Sequence, residues 1–184
     1  MRGRTGSVKW MTTVTASHRS IVAIVFLVGG ALQVLGAVLG VANAGNSGAF
    51  YLLSNLALGA GFVLLFAWYA ASTVARVAYL VAGVGWLLLA IGSLVNLGVV
   101  GTLALFIAII GSVFSGVVVF TAHVFGRQAD IVFLAAMIAG ALNLLASQNS
   151  NVPGLLKAAL VIVFGALLIV WAVLLVGNRA TKSA

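Results

Sequence analysis

The chain has 184 residues, is 64% hydrophobic and only 5% charged, and carries a net charge of +8. That leaves too little polar surface for a water-soluble domain. With no cysteine and one carboxylate side chain, Asp130, the composition excludes disulfides, thiolate metal sites, cysteine nucleophiles, paired-carboxylate catalysis and all-carboxylate metal sites.

The positive charge does not point to nucleic acid. The basic residues stand at the ends of apolar runs, with no stripe of interleaved aromatics, as membrane topology requires. Arg2, Arg4, Lys9 and Arg19 precede an apolar run from Ile21 to Ala42. Ala42-Asn43-Ala44 then resembles a small-x-small cleavage site. The run is nevertheless about 22 residues long, against roughly 7–15 for the core of a secretory signal, so an uncleaved first helix is expected. Met11 is a second candidate start.

Six spans follow, at about 20–43, 49–71, 76–97, 101–124, 130–147 and 154–177. Short connections predict antiparallel hairpins, at about 20–71, 76–124 and 130–177. The expected fold is an all-α integral membrane bundle of six transmembrane helices. A cytoplasmic basic segment (1–19) precedes the transmembrane domain (20–177), and a cytoplasmic tail (178–184) follows. Lys and Arg placement sets both termini inside. Arg2, Arg4, Lys9, Arg19, Arg76, Arg127, Arg179 and Lys182 fall on the inner side, and only Lys157 on the outer.

Shifting the chain by 53 residues superposes Asn43, Asn96 and Asn149, and likewise Gly48, Gly101 and Gly154. Each outer turn then reads Asn-x-x-x-x-Gly. Gly30 falls on Gly83 and Ala136, and Gly59 on Ser112 and Gly165. A period of two helices gives three repeats of one orientation about an axis along the membrane normal. The competing explanation is turn chemistry, since Asn and Gly tolerate left-handed backbone at helix ends.

Small-x-x-x-small faces mark expected helix contacts: Gly36/Gly40, Ala57/Gly61, Gly111/Ser115, Ser112/Gly116 and Ala136/Gly140. Such faces let helix backbones approach closely in lipid. Trp10, Trp68, Trp171 and Tyr69 near the inner interface, and Tyr51 near the outer, are expected interfacial anchors. Trp86 lies deeper, as a packing or lining residue.

Polar groups inside a span are costly and are candidates for function. Gln33 lies near the middle of the first span. Asn55 and Asn143 lie within about two turns of the outer face. With Lys157 they would line a shallow outward vestibule. The alternative is that the amides bond neighbouring helices and Lys157 snorkels to the headgroups. His123 and Asp130 flank an inner turn, where a helix-end role through the dipole is simpler than a proton relay. His18 joins the juxtamembrane basic segment. Ser115 and His123 make no protease pair, being about 12 Å apart along one helix.

The three-hairpin layout and the phrase Gly85-Trp86-Leu87-Leu88-Leu89-Ala90-Ile91-Gly92 resemble bacterial membrane proteins of the HdeD type. The resemblance implies a six-helix protein of short repeats, linked to acid resistance. That family commonly places proline in its outer turns, and here only Pro153 does so. The size is also similar to that of six-helix acetate-uptake transporters, whose Asn-Pro-x-Pro-Leu-Gly motif is absent. Three roles follow as expectations, none enzymatic and none needing a cofactor. One is a structural or stress-associated protein of the bacterial inner membrane, acting through contacts with lipid, itself or a membrane-protein partner. The second is a channel or transporter for a small neutral or anionic solute, and the third an accessory subunit of a larger membrane complex.

Overall fold

The computed structural model describes residues 16–43, 47–95 and 99–177. The expectations resting on Arg2, Arg4, Lys9, Trp10, Met11, Asn96 and the 178–184 tail lie outside the described residues.

Six helices account for nearly all of it: α1 (Ala16–Val41), α2 (Ser47–Tyr69), α3 (Thr73–Gly92), α4 (Val99–Ala122), α5 (Arg127–Gln148) and α6 (Gly154–Gly177). Each is long and apolar enough to cross a membrane. Large apolar side chains cover the outside, among them Ile24, Leu103, Ile110 and Val173. A surface of that kind is stable against lipid and not against water. The chain is a multi-pass membrane protein.

Several helix ends differ from the sequence expectation, for local reasons. α1 starts four residues earlier, because His18 stacks on Trp68 of α2 with ring centroids 4.3 Å apart. His18 is therefore a helix residue at the basic end that packs on a neighbouring helix. α3 also starts earlier. Ser72 is its N-cap, with an extended backbone and a side chain accepting the Ala75 N–H at 3.1 Å, which satisfies one orphan donor of the first turn. α3 ends at Gly92, where the Ser93 hydroxyl donates to the Ala90 carbonyl at 2.6 Å. α4 closes through His123 in the left-handed region (φ 50), and the Val124 N–H reaches back to the Val119 carbonyl, a Schellman-type end.

The turn positions shared under the 53-residue shift behave unequally. Asn43 has a left-handed φ of 50, whereas Asn149 is extended at φ −98. Gly48 and Gly154 sit in the first turns of α2 and α6, and a methyl group added there would meet nothing. Gly101 is likewise inside α4.

Among the described residues each helix packs on two others only: its neighbours in sequence, with α6 closing onto α1. The result is a closed ring of six antiparallel helices around one axis. Glycine sets the tightest contacts. A Cβ on Gly30 would lie 2.6 Å from the Gly165 carbonyl, and one on Gly165 would lie 2.6 Å from that of Gly30. Between α3 and α4, a Cβ on Gly85 would stand 2.4 Å from the Ala108 nitrogen, and one on Gly111 2.3 Å from that of Ala82. Hydrogen is the only side chain that fits where two backbones come this close.

The two halves of the ring are filled differently. One end carries Arg19, Arg76 and Arg127 and is called the basic end; the other holds the α1–α2, α3–α4 and α5–α6 connections. In the basic half, rings from opposite helices meet on the axis. Phe26 of α1 touches Phe133 of α5 (centroids 5.9 Å), although those helices do not pack together. Phe62, Trp171, Phe125 and Tyr69 extend the cluster, mostly with edge-to-face or tilted geometry, the arrangement aromatic quadrupoles favour. Trp171 is fully buried and Tyr69 is 8% exposed. Both are thus core residues and not interfacial anchors, because they face the axis rather than the lipid.

Candidate functional site

At the opposite end the axis is hollow. A cavity of about 520 Å³ is lined by side chains from α1, α2, α3, α5 and α6, so it lies within the ring. Its rim includes Val41, Ser147, Gly154 and Leu155, all exposed, so it opens at that end. Gln33, Asn55, Asn143 and Lys157, the four polar positions singled out above, all line it. Tyr51, expected as an interfacial anchor, lines it too.

Helix geometry explains the convergence. At 1.5 Å per residue, Gln33 and Asn55 lie about 12 Å from the mouth, Asn143 about 8 Å and Lys157 about 5 Å. The polar groups therefore descend the wall in steps. Gln33 is 3% exposed and Asn143 9%. Among the described residues none of the three amides makes a hydrogen bond inside the protein. Amides serving as interhelical bonds would be paired with a neighbouring helix. These are left to water or to a bound solute, because an unpaired polar group inside a membrane protein is costly.

Trp86 closes the floor. Its indole stacks on Phe164 of α6, across the axis, with centroids 5.8 Å apart and planes at 13°. Its Nε1–H donates to the Ser112 hydroxyl of α4 at 2.9 Å, fixing the ring orientation. Beneath this layer lie Phe26, Phe62, Phe133 and Trp171. The cavity is thus a vestibule with an aromatic floor. Sequence reasoning left Trp86 between packing and lining, and it does both.

Asp130 occupies the other end. It is fully buried in the first turn of α5, and its Oδ1 accepts the Phe125 N–H at 2.9 Å. Its Oδ2 lies 3.8 Å from Nδ1 of His123, which is itself exposed. The carboxylate thus stands at a helix N-terminus and the imidazole just past a helix C-terminus, as the dipoles favour. Ser115 is buried, and its hydroxyl has no partner among the described residues. No group of three or more His, Cys, Asp or Glu side chains comes together among the described residues.

A second hollow, of about 340 Å³, lies between α1 and α6 and is lined by Ala23, Ile24, Leu27, Ala172, Val173, Val176 and Gly177. It is apolar throughout and belongs to the outer surface.

No protein-family model, curated protein or solved structure matches this chain.

Proposed function

We propose that the protein is a channel or transporter of the bacterial inner membrane that admits a small neutral or anionic solute into this vestibule. Both termini would be cytoplasmic and the vestibule would open outward, as the Lys and Arg bias favours. The observation that carries the reading is convergence. A chain with so few polar groups inside its spans brings Gln33, Asn55, Asn143 and Lys157 to one open cavity, and leaves the three amides without internal partners. A purely structural role through lipid and helix contacts, which the small-residue faces and the scarcity of ionisable groups suggest, gives no reason for unpaired amides on the axis. Nothing in the reading requires a catalytic step or a cofactor.

The three-repeat reading is part of the proposal. Burial supports it: Gln33, Trp86 and Ala139, related by the 53-residue shift, are all buried, and so are Leu58, Gly111 and Phe164, and Phe62, Ser115 and Leu168. The contacts of α1 with α6 and of α3 with α2 reuse one pair of positions, Gly30 against Gly165 and Gly83 against Gly59. A ring of three hairpins then puts equivalent inward faces on one axis, with side chains specialised by position.

The test uses the natural absence of cysteine. Gln33→Cys, Asn55→Cys, Asn143→Cys and Lys157→Cys are made singly, and intact cells are treated with a membrane-impermeant thiol reagent. Labelling at Asn143→Cys and Gln33→Cys is expected. Labelling confined to Lys157→Cys would overturn the vestibule reading.

A further inference from the structure

We infer that the vestibule selects small organic anions, with a carboxylate held by Lys157 and an apolar body seated over the Trp86 indole. This rests on the vestibule reading above and adds the class of ligand. Three observations carry it.

The first is uncompensated charge. Lys157 is half-buried at the cavity wall. The chain's one carboxylate side chain, Asp130, is at the far end of the bundle, in the first turn of α5 and engaged by the Phe125 N–H. No acidic side chain lines the cavity, so its field is positive. In a partly desolvated hollow a lone ammonium attracts an anion and repels a cation more strongly than it would in water.

The second is the donor set. Gln33, Asn55 and Asn143 line the same cavity with carboxamides that have no internal partner. Each has two N–H donors to turn toward carboxylate oxygens. Hydrogen bonds to a charged acceptor are about twice as strong as neutral ones.

The third is the remaining wall. Ala37, Leu144, Ala158 and Val161 are apolar, and the floor is the Trp86 ring backed by Phe164. A bare inorganic anion would leave that surface wet. An anion with a short hydrocarbon or aromatic body would cover it, since ligand cavities of this size range pair apolar walls with a few polar anchors. Lys157 enters from the first turn of α6 and Trp86 lies nearly two turns below the end of α3. Head and body would therefore sit at different depths.

Benzoate and its neutral isostere benzamide are the probes. Binding is measured by calorimetry on the full chain in nanodiscs, for wild type, K157R and K157Q. Saturable benzoate binding is expected, with benzamide at least about tenfold weaker, K157R near wild type and K157Q at least about tenfold weaker for benzoate, the factor expected when a charge-assisted contact is lost. Benzoate is also expected to protect Asn143→Cys from the thiol reagent. Equal affinity for the two probes, no benzoate binding, or a K157Q variant that binds benzoate like wild type would overturn the anion assignment. If Asn143→Cys and Gln33→Cys still label in those cases, the vestibule stands and only the ligand class falls. If neither labels, both fall. Lys157 is on the rim side of α6 and not in the core, so its substitution leaves the packing intact.

Discussion

The basic half of the ring fills its axis with aromatic side chains, whereas the other half lines an open axis with amides and one lysine. Both halves belong to the same six helices and meet at the Trp86–Phe164 stack. In the filled half, Phe26, Phe62, Phe133 and Trp171 reach across from helices that are not all neighbours and tie the ring together. In the hollow half the axis is open down to the Trp86 floor, and the amides and Lys157 share the wall with apolar residues such as Ala37, Leu144 and Val161. Stability is therefore concentrated in one half, and the exchangeable, water-facing chemistry in the other.

Four substitutions and one control sharpen that contrast. The largest effect is expected at Gly111→Val, because even a Cβ there would lie 2.3 Å from the Ala82 nitrogen. Helices α3 and α4 would have to separate, at a cost of about 3 kcal/mol or more. Thermal unfolding followed by size-exclusion chromatography in mild detergent should show loss of the monodisperse species, whereas Gly154→Ala, with open space around it, should leave it unchanged. Next is Phe133→Ala in the fully buried aromatic layer, expected to cost about 3–5 kcal/mol and to lower the unfolding midpoint markedly. Ser112→Ala comes third. It strips the buried Trp86 Nε1–H of its acceptor, at about 1–3 kcal/mol. Tryptophan fluorescence should report a freed indole, and thiol labelling at Gln33→Cys should speed up.

The smallest effect is expected at Gln33→Leu. An amide that bonds no other helix holds nothing together, so replacing it with an apolar group of similar size should leave stability nearly unchanged or slightly higher while weakening benzoate binding. A large loss of stability would show that Gln33 holds helices together and would erase the distinction between the halves.

Much of the bundle was readable beforehand. Apolar runs of spanning length mark six helices, and α6 begins and ends where expected at residues 154 and 177. The polar residues were also visible as outliers, since so few stand inside apolar spans. Their side-by-side placement was not, because periodicity gives the face of a helix but not the helix it turns toward. Trp171 and Tyr69 illustrate the limit. Their distance along the chain from the basic residues suits an interfacial belt, yet both turn inward to the axis. The Gly30–Gly165 and Gly85–Ala108 approaches are not visible in the spacing of small residues along one helix, because each contact pairs positions on different helices.

The sequence by itself determined the number of spanning helices, the lipid-compatible exterior and the scarcity of ionisable groups, because these follow from composition and run length. Only the tertiary structure decided that α6 closes onto α1, that aromatic rings fill one half of the axis, and that three amides and a lysine share the cavity in the other. The reason is physical. Each depends on the rotation of one helix about its own axis relative to another, which close glycine contacts and ring packing fix jointly and no local pattern encodes.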